Sequence, residues 1–258
     1  LPLVTMQFVF TNSGTITDTK KAGLAKLSAK LMGEGTKALG SSAFADALEA
    51  KAIHISSSAG TETFVIELGC LKEEFEIGVH YLDTLLKDPN FTEEALNSIK
   101  TTTIGNLSSK VNDFDYVASN ELKSLLFKGS VLATPSSGTL ESVETIELSD
   151  VEAFVNTNLV SSKLIVLLGG DIDLEEAKAE IKSVIEAMPK GALSEVQNYK
   201  VVEKSQESIL KKETQQAYIY FGSPYNLAVD SEDNFKARVA TFILGAGGFG
   251  SRLMEEIR

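Results

Sequence analysis

A short amphipathic helix near the start of the chain, between Gly23 and Thr36, is the segment around which the rest is organised. Its apolar stripe consists of three leucines at helical spacing: Leu24, Leu27 and Leu31. On another face, Lys26 and Lys30 stand one turn apart, with Ala29 beside them. Pattern reasoning alone allows these lysines to be an ordinary solvated helix face.

The segment is similar to the zinc-binding signature of the pitrilysin-like peptidases, family M16. In that family a Gly-Leu-Ala-His-x-x-Glu-His helix, followed by a Gly-Thr ending, supplies two histidine ligands and a glutamate base. Six positions of the signature match this chain: Gly23, Leu24, Ala25, Leu31, Gly35 and Thr36. The resemblance extends over nearly the whole chain, since the Pro135 to Thr139 loop and the Gly170-Asp171 turn also resemble the family pattern.

The positions that carry the chemistry differ from the family pattern. The resemblance places Lys26 and Lys30 at the two histidine positions, Ala29 at the glutamate position, and Asn106 at the third ligand on a later helix. An ammonium group has no lone pair for a metal, and an alanine cannot take a proton from water. An amide is a poor zinc ligand. We therefore expect a degenerate site without catalytic residues or bound metal. The resemblance implies that an active partner subunit would hold the zinc instead.

Composition excludes several classes of partner. The 258 residues carry a net charge of -12, with an isoelectric point near 4.8, which argues against binding nucleic acid or an anionic membrane. An acidic surface is expected to attract basic peptides. No apolar run approaches the roughly 18 residues that span a membrane, so direct membrane insertion is not expected. Cys70 is the lone cysteine and leaves the compartment open.

Hydrophobic patterning predicts an α+β fold, with a mainly antiparallel sheet and helices packed on one face. Strands are predicted at residues 3–10, 54–60, 61–69, 163–168 and 216–222, the fourth being central in the sheet because it is apolar on both faces. Helices are predicted after a Ser41 or Ser42 cap, at residues 71–86, and from a Thr92 cap through Leu125 with a break near Gly105 or Asn112.

The predicted domains are an M16-like domain at residues 1–192, a linker at 193–208 and a second domain of similar fold beginning at 209. The order of elements after residue 209 loosely repeats that of residues 3–36. Because the family continues beyond this point, we interpret residues 209–258 as the first part of that second domain.

A glycine-rich loop, Gly245-Ala-Gly-Gly-Phe-Gly250, fits two different patterns. It matches the dinucleotide-binding G-x-G-x-x-G, but that site needs a preceding strand, and residues 235–243 have a helical pattern. It also resembles a second-domain motif of the M16 family, where a glycine-rich loop of non-catalytic subunits helps to admit substrate. The resemblance implies a substrate-binding segment formed by Gly245, Gly247, Gly248, Phe249 and Gly250. A plain structural turn is the simpler alternative.

Together these features lead to one hypothesis and two alternatives. The resemblance implies a non-catalytic subunit that forms a clamshell heterodimer with an active M16 peptidase and contributes to binding of the peptide substrate. The first alternative is a structural scaffold subunit of a larger complex. The second is a peptidase active on its own, but His54, His80 and Glu34 show no ligand spacing typical of a metal site.

Overall fold

The computed structural model describes residues 1–193, 198–225, 227–228 and 230–257. Two units form the chain, Leu1–Phe221 and Gly222–Arg258. The described residues of the first unit form a four-stranded antiparallel sheet in the order β2-β3-β1-β4. Its strands are β1 (Leu3–Thr11), β2 (His54–Ala59), β3 (Thr63–Leu71) and β4 (Leu164–Gly170). The predicted α+β class and antiparallel sheet are confirmed.

Helices account for most of the remaining regular structure of the first unit. They are α1 (Leu24–Met32), α2 (Gly40–Glu49), α3 (Phe75–Lys87), α4 (Glu93–Lys110), α5 (Phe114–Leu126), α6 (Leu140–Glu144), α7 (Leu148–Asn158) and α8 (Leu174–Ala187). Among the described residues, no helix combines the length and the hydropathy needed to cross a membrane.

One face of the sheet is buried beneath these helices. Alternate residues of β1 are fully covered and belong to the main core: Val4, Met6, Phe8 and Phe10. Phe8 lies at the centre, opposite Ile66 of β3 and Val166 of β4. Because side chains alternate across a strand, the intervening residues of β1 lie on the other face, where Leu3 is exposed. The strand is thus buried on one face only.

The predicted central position of the 163–168 strand is wrong. β4 pairs with β1 on one side and forms the edge of the sheet among the described residues. Ile165 and Leu167 on its outer face are about half exposed. A strand that is apolar on both faces is typical of a sheet centre, but the pattern cannot show which backbone edge is paired.

The boundaries of several helices differ in detail from the predictions. Thr92 caps α4 by accepting a hydrogen bond from the Ala95 backbone N–H, as predicted. The long helical pattern breaks next to Asn112 rather than at Gly105, because Asp113 starts α5 by accepting from the Tyr116 N–H. Neither Ser41 nor Ser42 caps α2, which begins after Leu39 without a side-chain cap.

Helix α1 is covered on two faces rather than one. Ala25, Ala29 and Met32 belong to the main core against the sheet. Leu27 and Leu31 belong to a second cluster, together with residues of α4, α6 and α7 such as Leu96 and Val143. This double packing leaves Lys26 and Lys30 on the part of the helix that is not fully covered.

The predicted strand at residues 216–222 is absent, since these residues have no regular secondary structure. The largest apolar side chains among them, Ile219 and Phe221, are exposed, and an isolated strand without a ladder partner is not stable. The predicted repeat of the strand order after residue 209 therefore lacks its strand. Part of the predicted linker, residues 194–197, lies outside the described residues, and the predicted division into domains stays a prediction.

The described residues of the second unit form two helices, α9 (Asn234–Thr241) and α10 (Arg252–Ile257). A π-helical turn, Phe242–Ala246, continues directly from α9. The segment before the glycine loop is thus helical, as its pattern indicated.

Candidate functional site

The start of α1 is held by a buried carboxylate. Asp18 is only 6% exposed, and its two carboxylate oxygens accept hydrogen bonds from the backbone N–H groups of Gly23 and Ala25, at 3.1 and 2.9 Å. Burial raises the pKa of Asp18 from 3.8 to about 7, although the two backbone hydrogen bonds and nearby Lys26 act in the opposite direction. Asp18 therefore fixes the helix end from which Lys26 projects.

Lys26, at the first histidine position, contacts a hydroxyl pair. Its Nζ donates to Ser136 Oγ at 2.8 Å and to Ser137 Oγ at 3.4 Å. Partial burial lowers the pKa of Lys26, and the neighbouring ammonium groups of Lys110, Lys30 and Lys123 lower it further. The side chain is thus held in a site that already has an excess of positive charge.

Lys30, at the second histidine position, points to α4. Its Nζ donates to Thr103 Oγ1 at 2.9 Å. Asn106, at the third-ligand position, is exposed one turn further along α4. Sequence reasoning identified the lysines but not Thr103, Ser136 or Ser137, because hydroxyl residues distant in the chain give no spacing signal.

Ala29, at the glutamate position, is 2% exposed and packs in the main core. Its carbonyl oxygen accepts a hydrogen bond from Ser57 Oγ on β2 at 2.6 Å. The alanine side chain cannot accept a proton from water, and Lys26 and Lys30 donate their protons to hydroxyls instead of offering a lone pair. The residues at these positions do not fit zinc. Within the described ranges no cluster of three histidine, cysteine or acidic side chains is suited to a metal.

Two of the matching motif positions, Gly35 and Thr36, shape the backbone that follows α1. Gly35 has φ +77°, and a Cβ atom added there would lie 2.7 Å from the Cβ of Phe44. Thr36 is fully buried, and its carbonyl accepts from the Gly40 N–H at 2.7 Å. The matching positions Gly35 and Thr36 therefore have a structural role in the backbone. The positions that differ from the family are those of the zinc ligands and the general base.

Lys26 is one of the residues that line a cavity of about 410 Å³. Lys110 and Lys123 also line it, and the Nζ of Lys110 lies 4.6 Å above the centre of the Tyr116 ring. The wall also includes Asp18, Ser136, Ser137 and apolar residues from Phe127 to Pro135. Sequence reasoning did not find this cavity, because α4 and α5 bring Lys110 and Lys123 to α1 only in the folded chain.

Two glycines allow the loop at residues 135–139, part of which lines the cavity, to approach the start of α1. Gly23 has φ +91° and Gly138 has φ +80°, and a Cβ atom at Gly138 would lie 2.5 Å from the Ala22 carbonyl oxygen. Replacing Gly138 by alanine therefore combines a left-handed backbone with a clash against main chain.

We expect Gly138→Ala to lower the free energy of unfolding by about 1–3 kcal/mol more than Gly129→Ala, measured by urea denaturation. Gly129 is the matched control because its φ is +87° but a Cβ atom there would meet nothing within 4 Å. Equal losses for the two variants would mean that the loop does not approach α1 as closely as described.

The glycine loop of the second unit forms a compact turn. Gly247 N–H donates to the Phe242 carbonyl at 2.9 Å, and Gly248 has φ +65°. A Cβ atom at Gly245 would lie 3.2 Å from Leu253 Cδ1, while Phe249 is 76% exposed. The helical segment before the loop does not supply the strand that a dinucleotide site requires. Substrate binding by Gly245, Gly247, Gly248, Phe249 and Gly250 stays a prediction.

Two family models match the chain. Residues 6–139, more than half of its length, match Insulinase (Peptidase family M16), and residues 145–258 match Peptidase M16 inactive domain. Among curated proteins, the Non-peptidase homolog YmxG of Helicobacter pylori is 39% identical over 258 residues, which is 100% of this chain and 60% of that protein. The mitochondrial-processing peptidase subunit beta of Caenorhabditis elegans is 20% identical over 120 residues, covering 46% of this chain and 26% of that protein.

A solved structure shares the same fold. The peptidase M16 inactive domain from Pseudomonas fluorescens superposes with a TM-score of 0.85 at 24% sequence identity, covering 100% of this chain and 63% of that chain. The chain thus spans about 60% of the length of YmxG and a similar share of the Pseudomonas chain. The matched family models and the matching motif positions lead to one conclusion: the chain belongs to peptidase family M16, as a homologue whose inverted motif lacks the zinc ligands and the general base.

Proposed function

We propose that this chain is a non-catalytic M16 subunit that pairs with an active, zinc-bearing homologue and contributes contacts to the peptide substrate. The observation that carries the proposal is the motif helix itself. Gly23, Leu24 and Ala25 match the family signature, while the ligand positions hold Lys26 and Lys30 bonded to hydroxyls and the base position holds buried Ala29. A relative described as a non-peptidase homologue supports this interpretation.

In the proposed pair, the two halves close as a clamshell around an extended peptide. The partner supplies zinc, the glutamate base and the attacking water. This chain supplies part of the chamber wall, and the loop of Gly245, Gly247, Gly248, Phe249 and Gly250 is its proposed substrate-contacting segment. The exposed ring of Phe249 offers apolar surface for such a contact.

The test is zinc content and peptidase activity, measured for this chain alone and after mixing with a homologue from the same source that bears an intact H-x-x-E-H motif. We expect no zinc and no hydrolysis from the chain alone, and a rise in the activity of the partner on mixing. The matched control is the same mixture with the motif glutamate of the partner replaced by glutamine, which should abolish activity without preventing association.

The other outcomes discriminate between the alternatives. Stoichiometric zinc and hydrolysis by the isolated chain would overturn the assignment of Lys26, Ala29 and Lys30. Activity unchanged by mixing, together with co-purification of many subunits rather than one peptidase, would favour a structural scaffold instead. In the expected case, Phe249→Ala should slow peptide cleavage by the mixture while leaving association intact.

A further inference from the structure

The cavity beside α1 has a charge opposite to that of the whole protein. Three lysines line it, Lys26, Lys110 and Lys123, and Asp18 is its one acidic wall residue in the described part of the chain. Within that part, no carboxylate oxygen lies within 4.0 Å of any of the three amines. A local cluster of unpaired ammonium groups in a chain of net charge -12 calls for a physical explanation.

The hydroxyl groups beside Lys26 add neutral donors to the cluster. Ser136 Oγ and Ser137 Oγ both accept from the Lys26 ammonium, and neither donates to another described group. A hydroxyl that accepts a hydrogen bond keeps its own hydrogen to donate. The Lys26 ammonium and the hydroxyls of Ser136 and Ser137 can therefore donate hydrogen bonds to a bound group that accepts them.

Part of the cavity wall is apolar, although the polar residues Thr15, Thr61, Ser119, Asn120 and Thr134 also line the cavity. Phe127, Val131, Leu132 and Pro135 line it, and Tyr116 lies beneath the Lys110 ammonium. Such a wall suits the carbon skeleton that carries an anionic group better than it suits a fully hydrated free ion. Burial is the main cause of the lowered pKa of Lys26, and repulsion from the neighbouring lysines adds to it. An anion placed among the lysines would relieve that repulsion.

We propose that this cavity binds a carboxylate group of a peptide, held by Lys26, Lys110 and Lys123 together with the hydroxyls of Ser136 and Ser137. The identity of the carrier as a peptide rests on the proposed function, whereas the preference for a carboxylate rests on the cavity alone. The carboxylate comes either from an acidic side chain or from the C-terminus of the peptide. The site thus selects an acidic group locally, within a surface that attracts basic peptides overall.

The test uses three dye-labelled peptides that differ only in carboxylate content, with binding followed by fluorescence anisotropy. The first has one internal glutamate and an amidated C-terminus. The second has glutamine in place of glutamate, also amidated. The third has the glutamine and a free C-terminal carboxylate. We expect the first or the third to bind about tenfold more tightly than the second, as one charge-assisted contact provides, and the tighter one identifies the source.

Substitutions of single lysines test whether the cavity is responsible for the preference for a carboxylate. Lys26→Gln and Lys123→Gln should each bring the preferred peptide close to the affinity of the uncharged one. Lys123 is exposed, so its replacement tests the proposal even if Lys26→Gln disturbs folding. Lys182→Gln is the matched control, since it removes the same charge from an exposed position of α8 outside the cavity and should preserve the preference.

Equal binding of all three peptides, or no binding of any, would overturn the carboxylate site. A preference that survives both cavity substitutions would also overturn it. These outcomes are separate from the mixing experiment, because activation of the partner is measured with its own substrate. If the chain activates the partner but shows no preference for peptides with a carboxylate, only the cavity proposal is contradicted. If it shows that preference but does not activate the partner, only the proposed pairing is contradicted.

Discussion

Replacing Phe8 by alanine is expected to lower the free energy of unfolding by about 3–5 kcal/mol, as large-to-small changes of buried aromatic residues do. Phe8 is 0% exposed at the middle of β1, between Ile66 and Val166 of the flanking strands. Its side chain fills the main core beneath the helices. Alanine would leave a cavity there that the surrounding close-packed side chains cannot fully close.

The control for Phe8→Ala is Ile165→Ala on the neighbouring strand. Ile165 is 50% exposed on the opposite face of the same sheet, so we expect a change within about 1 kcal/mol. Urea unfolding followed by circular dichroism measures both variants. If Ile165→Ala cost more than Phe8→Ala, the two faces of the sheet would be reversed, as a one-residue slip in strand register would produce.

The stability of the protein should fall as pH rises from 5 to 8, because of Asp18. Burial raises the pKa of this carboxyl from 3.8 to about 7 in the folded state. The folded chain therefore holds the proton more tightly than the unfolded chain. The stabilisation is fully present below pH 3.8 and is lost as pH rises through about 7. The full effect corresponds to about 4 kcal/mol, of which roughly 2–3 kcal/mol falls between pH 5 and pH 8.

The Asp18→Asn variant isolates this contribution. An amide is neutral throughout the range, and its single oxygen can accept from Gly23 or Ala25 but not from both in the present geometry. At pH 5, where most of Asp18 is protonated in the folded state, we expect the variant to be about 1–2 kcal/mol less stable than wild type. The amide itself adds no pH dependence. The stability difference between wild type and variant should therefore shrink or reverse as pH rises.

The same measurement with Asp171→Asn is the control, because Asp171 is an exposed acidic residue outside the core. It shows how the stability changes with pH when an exposed carboxylate is removed. Urea unfolding at several pH values compares the three proteins. A difference between wild type and Asp18→Asn that stays constant from pH 5 to pH 8 would contradict a raised pKa for Asp18. A difference that grows with pH would indicate a carboxylate stabilised in its charged form.

The alternation of buried residues in β1 and the helical spacing of apolar residues in α1 could be predicted from the sequence. Strand and helix periods depend on local backbone geometry, so a core that lies on one face leaves its trace in the sequence. The N-terminal cap at Thr92 could be predicted for the same reason, since a capping residue and the helix it starts are adjacent in the chain. The strand predicted at residues 216–222 failed because its stability depends on a neighbouring strand, which no local pattern can supply.

The candidate site divides in the same way. Lys26, Ala29 and Lys30 were found because they share one helix and match a family motif position by position. Lys110 and Lys123 were missed, since α4 and α5 separate them from α1 by a long stretch of chain. Their shared cavity follows from how the helices pack, and packing leaves no fixed spacing in the sequence.

The amino-acid sequence alone established the family resemblance, the α+β class and the absence of zinc ligands at the motif, because each depends on residue identity at short range. Only the tertiary structure decided that β4 lies at a sheet edge, that Asp18 is buried at the start of α1, and that three lysines share one cavity. The physical reason is that burial, the pairing of strand edges and the meeting of charges depend on contacts between residues far apart in the chain.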